Sequence, residues 1–207
     1  MTLEVLDNMA QAVIFGGLAL FSALLAFRRL NRRLMILALG YACFSMGTLF
    51  WTLHLAITGQ VPQVFYVSEV SWLASYLFFL SYQIVRSEGI RLCFSGLSVL
   101  AALFLAVNVL TFRIFGPSYL MSSLLALTFA AIAYLSVFRR VRRMNGRRTD
   151  CCMLLILFLQ ILLYAVSIWV HDYTRFNVYF AVDILLTASL AALLPLCLRE
   201  EKRHDIY

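Results

Sequence analysis

Apolar residues along this chain fall into seven long runs separated by short polar breaks, at about 9–27, 34–57, 64–85, 92–112, 117–138, 151–170 and 176–198. Each run is close to the ~20 residues with which an α-helix crosses a hydrocarbon core of ~30 Å. The pattern predicts an all-α fold, a polytopic bundle of seven transmembrane helices that forms one domain over residues 1–207. The polar breaks differ in charge. Those after the first, third and fifth runs carry Arg28, Arg29, Arg32 and Arg33, then Arg86 and Arg91, then the block RRVRRMNGRR. The alternate breaks hold almost no basic residues. Because Lys and Arg flanking the spans set orientation, the basic breaks are expected in the cytosol, with the N-terminus outside and the C-terminus inside.

Within the runs, polar residues recur at helical spacing. On the sixth helix Gln160, Tyr164, Ser167 and His171 fall within an arc of about 60°. On the third, Glu69, Trp72, Tyr76 and Gln83 share a stripe, and on the seventh Tyr179, Asp183 and Thr187 follow at intervals of four. On the second helix Tyr41, Ser45, Thr48 and Thr52 form one stripe, while Trp51 and His54 point to another side. Three intramembrane ionisable groups stand out, His54, Glu69 and Asp183, and such groups are functional candidates because a charge at the bilayer centre costs a few kcal/mol. Glu69 and Asp183 are expected about two turns from the outer end, with no Lys or Arg at their depth. That arrangement suggests an outward-facing cavity in which Glu69, Trp72, Tyr76, Gln160, Tyr164 and Asp183 meet a small polar or cationic ligand. The competing expectation is that the same groups tie helices together, or tie two copies together, by hydrogen bonds.

Composition narrows the classes. The 207 residues are 63% hydrophobic and 13% charged, against about 25% charged in soluble domains. The net charge of +7 lies in loops rather than on an aromatic-studded surface, so nucleic acid is not an expected partner. Arg139, Arg140, Arg142 and Arg143 are expected at the anionic face of the inner leaflet, or as the contact for a cytosolic partner. The adjacent Cys151 and Cys152 lack further ligands at metal spacing, so neither metal nor cofactor is expected. The three histidines are scattered, and no catalytic constellation is expected. The only lysine, Lys202, lies in the tail, which excludes a retinal Schiff base. Glu4 and Asp7 precede the first run where a signal peptide would carry positive charge, so the first helix is expected to be retained.

The stretch FYVSEVSWLASYLFFLSYQIVR, the predicted topology and the tail LREEKRHDIY together resemble the seven-helix sensor regions that precede kinase or diguanylate cyclase domains in bacterial signalling proteins. The resemblance implies a sensor in the bacterial plasma membrane that signals to a cytosolic partner, either as a separate module or as the membrane part of a longer protein. Two other functions remain open from the residues: a small-solute or proton transporter, for which Pro195 hints at a broken seventh helix, and an assembly subunit that uses the arginine block.

Overall fold

A computed structural model describes residues 3–59, 66–91, 94–112, 119–142, 144–170 and 173–204. Among these residues the fold is all-α, with seven helices in chain order: α1 (Leu3–Arg29), α2 (Arg32–Thr58), α3 (Tyr66–Arg86), α4 (Gly96–Thr111), α5 (Tyr119–Val141), α6 (Arg147–Trp169) and α7 (Val178–His204). Five of them, α1, α2, α5, α6 and α7, are long and apolar enough to cross a membrane. α3 interrupts its apolar run with Ser, Tyr, Glu and Gln, and α4, at 16 residues, extends only ~24 Å.

Several helices begin or end beyond the apolar runs. α1 starts at Leu3 rather than near residue 9, α6 at Arg147 rather than 151, and α7 continues to His204 rather than 198. The cause is physical: hydropathy marks the hydrocarbon slab, while a helix continues until its backbone is capped. α2 shows both kinds of end. The Asn31 side chain accepts from the backbone N–H groups of Arg33 and Leu34, and Gly59 in the left-handed region (φ 67°) closes the last turn. α7 runs unbroken through Pro195, so the predicted helix break is not present.

The packing pairs α1–α2, α2–α3, α3–α5, α5–α6, α6–α7 and α7–α1 close a ring of six helices, and α4 leans on its outside against α5. The outward faces are apolar: Leu20 and Phe27 of α1 are 70% and 68% exposed, and Leu97, Leu100, Phe104 and Val107 of α4 are exposed too. Polar residues such as Thr48, Ser75, Gln83 and Ser136 lie inside. Apolar outside and partly polar inside is the arrangement that a lipid solvent selects, and the architecture is that of a helical membrane bundle.

The middle of the ring is filled by aromatic side chains. Phe15, Tyr41, Phe79 and Phe129 are fully or almost fully buried, with Tyr41 edge-on to Phe79 and Tyr76 edge-on to Phe129. The Tyr41 hydroxyl crosses the ring to donate to the Leu190 carbonyl of α7 at 2.7 Å. Small residues allow this density. A Cβ on Gly40 would stand 2.8 Å from the Phe79 ring, and one on Gly47 3.0 Å from the Trp72 indole.

Candidate functional site

A cavity of about 390 Å³ opens into the ring at the end where α1, α3 and α7 begin and α2 and α6 finish. α3 contributes Glu69, Trp72 and Tyr76, α6 contributes Gln160 and Tyr164, and α7 contributes Tyr179 and Asp183. All six residues expected to meet a ligand therefore line one space. Glu69 lies in the first turn of α3, closer to the helix end than the sequence spacing suggested, because α3 begins at Tyr66.

α1 and α2 complete the wall. Glu4, Asn8 and Gln11 project from successive turns of α1, and Thr48 and Trp51 from α2. Trp51 Nε1 lies 3.5 Å from Glu4 Oε1, and Trp72 Nε1 donates to Thr48 Oγ1 at 3.3 Å. The two indoles stand 6.0 Å apart, tilted by 41°. Tyr173 and Tyr179 meet edge to face at 5.1 Å. The Tyr76 hydroxyl donates to Gln160 Oε1 at 2.5 Å, which ties α3 to α6 at the floor.

Glu69 is 5% exposed and makes no hydrogen bond or ion pair among the described residues. The Gln11 amide nitrogen is likewise buried without a partner. Three carboxylates, Glu4, Glu69 and Asp183, face this space, and among the described residues no Lys, Arg or His lines it. His54 sits apart, stacked on Phe50, and His171 lies outside the described residues. Trp169 is 84% exposed at the end of α6, as an interfacial anchor would be.

No family model, curated protein or solved structure matches the chain. The site's chemistry therefore rests on its own residues.

At the opposite end of the bundle, ~25 Å along α3 from Glu69 by its helical rise, lies a second polar centre. Arg86 Nη1 donates to Asp150 Oδ1 at 2.8 Å and to Gln83 Oε1 at 2.9 Å. Its Nη2 donates to both carboxylate oxygens of Glu200, at 2.9 and 2.8 Å. Arg139 stands 3.4 Å from Asp150 and 3.7 Å from Glu200, and its Nη1 donates to the Arg86 carbonyl at 2.5 Å. Thr149 donates to Glu200 at 2.9 Å. Two guanidiniums and two carboxylates from α3, α5, α6 and α7 thus form a neutral, buried cluster. Gly146 (φ 86°) packs so closely on Arg86 and Glu200 that a Cβ there would overlap both.

This cluster corrects the reading of the arginine block. Arg139 is 4% exposed and belongs to the interior, because its position in the last turn of α5 turns it toward Asp150. Arg140, Arg142, Arg147 and Arg148 are exposed, and Arg143 lies outside the described residues.

Two groups of residues at these centres escaped the sequence. Glu4, Asn8 and Gln11 keep the i, i+4, i+7 spacing of one helix face, a signal hidden by starting the first helix too late. Asp150 is the single acid within a basic linker, and that sign reversal was its only mark.

Proposed function

We propose that this chain is a seven-span sensor module of the bacterial plasma membrane, with its N-terminus and cavity outside and the end of α7 in the cytosol. A small polar or cationic ligand enters the cavity and alters how α6 and α7 sit against α3. The observation that carries this reading is the meeting of Glu69, Trp72, Tyr76, Gln160, Tyr164 and Asp183 around one space. The same three helices continue from the cavity to the buried ion cluster, so a shift at one end has a rigid route to the other. The ligand shifts the equilibrium only as far as its affinities for the two arrangements differ.

Supporting a sensor over a transporter is the aromatic layer of Phe15, Tyr41, Phe79 and Phe129 between the cavity and the cytosolic end. The exposed Arg140, Arg142, Arg147 and Arg148 suit contact with anionic lipid or a signalling partner.

Native mass spectrometry of the protein extracted from its membrane, beside Glu69→Gln/Asp183→Asn, tests the site. A small-molecule adduct that disappears in the double variant is expected. Equal spectra, with a stoichiometric protein partner or stable homodimer in both, would mean that the carboxylates serve packing. Uptake of the same molecule into proteoliposomes would replace the sensor with a transporter. Reporter fusions before Leu3 and after Tyr207 check the topology, and activity of both reporters on one side would overturn the odd number of spans.

A further inference from the structure

The cavity's walls narrow the ligand class, and this inference rests on the outer-cavity reading above. The mouth and the depth differ in chemistry. Glu4 and Glu69 lie in the first turns of α1 and α3, with the Trp51 and Trp72 indoles beside them. Farther in, Phe44, Leu125, Leu163 and Leu186 give apolar walls. The volume, about 390 Å³, far exceeds that of a bare metal ion and lies at the small end of the ~300–1,000 Å³ typical of organic ligands. Among the described residues no three metal-ligating groups converge on a point. The carboxylates surround the space instead.

Among the described residues no donor meets the buried Glu69 carboxylate, which leaves its acceptor positions for a ligand N–H. Indole faces attract cations through their quadrupole, more strongly where water is excluded. We infer that the cavity binds a protonated organic amine with an apolar body, its ammonium group held at the mouth by Glu69, Glu4 and the two indoles and its body lying on the leucines and Phe44 below. A neutral polar ligand would leave the carboxylates without a counter-charge, and an inorganic cation would leave the apolar depth unfilled.

The test is a titration of the intact purified Trp169→Phe variant, which leaves Trp51 and Trp72 as its tryptophans, with phenethylammonium and with the neutral 2-phenylethanol, read by tryptophan fluorescence. Phenethylammonium is expected to bind at least about tenfold more tightly, the scale of a cation–π contact together with a charged hydrogen bond. Glu69→Gln is expected to cut that preference to about threefold or less while leaving the alcohol's affinity unchanged; the alcohol titration thus reports that the variant's cavity is intact. Equal affinity for amine and alcohol overturns the cationic class but leaves a cavity that takes neutral ligands. An amine preference that survives in both Glu69→Gln and Glu4→Gln also overturns it, since the charge is then recognised elsewhere. No saturable binding of either molecule overturns this inference, while the adduct comparison with Glu69→Gln/Asp183→Asn decides the outer-cavity reading separately.

Discussion

Replacing Asp150 with Asn removes one charge from the buried cluster while keeping the side chain's shape. In the parent, Asp150 Oδ1 accepts from Arg86 at 2.8 Å and from Gln83 at 3.4 Å, and lies 3.4 Å from Arg139. The variant leaves two guanidiniums, whose side chains are 1% and 4% exposed, facing the single carboxylate of Glu200. Breaking a buried pair by removing one partner costs about 3–5 kcal/mol, because the remaining charge stays away from water. Arg86 keeps its three bonds to Glu200, so the lower end, about 3 kcal/mol, is expected. For a chain of this size that lowers Tm by ~6–12 °C. Cys152 and Cys197 are buried, so a fluorogenic thiol reagent, added after the exposed Cys151 has been blocked with a non-fluorescent alkylating agent, reports unfolding of the detergent-solubilised protein during a thermal ramp. The exposed pair Arg32–Glu88, 3.5 Å apart, supplies the control: Glu88→Gln is expected to cost under about 1 kcal/mol. If Asp150→Asn melts within ~2 °C of Glu88→Gln, the cluster is solvated in the protein and its assignment as a buried neutral quartet is wrong.

The exposed and buried members of the arginine block separate in the same assay: Arg140→Gln/Arg142→Gln together leave Tm unchanged within ~2 °C, whereas Arg139→Gln lowers it by several times that. Gly47→Ala places a methyl 3.0 Å from Trp72, so the indole must move; Trp fluorescence is expected to shift and amine affinity to fall by about tenfold or more. Tyr76→Phe deletes the 2.5 Å bond to Gln160 and is expected to cost only ~0.6–1.5 kcal/mol in a membrane, where the unfolded helices also find partners. A larger loss in the thermal ramp would mean that the α3–α6 contact holds the cavity floor in place by more than this bond.

The architecture was legible because lipid writes the fold in long apolar runs, and the cavity residues were legible because a helix repeats its face every three to four positions. Glu69, Trp72 and Tyr76, Gln160 and Tyr164, and Asp183 could each be placed on a face without knowing the neighbours. Trp51 was the exception. Its spacing groups it with His54 on a different side from Thr48, yet both Thr48 and Trp51 line the cavity, since the wall spans a wide arc of α2. The ion cluster was not legible, for a different reason. Counting arginines in a linker tells which side of the membrane it occupies, not which guanidinium turns inward to meet a carboxylate 64 or 114 residues later. α4 was overestimated at about 92–112 because apolar residues beyond its ends extend the run, while the helix spans only Gly96–Thr111.

The ring closes only when α7 reaches α1, and this orders the chain's assembly in time. Arg86 leaves the ribosome 114 residues before its bidentate partner Glu200, an interval of roughly 6–23 s at about 5–20 residues per second. Throughout that interval the cluster carries an uncompensated positive charge at the end of α3, first from Arg86 and then from Arg139 as well, until Asp150 and finally Glu200 arrive. Glu200 is the last of the four cluster residues to emerge, so neutrality of the cluster, like closure of the ring, waits for α7.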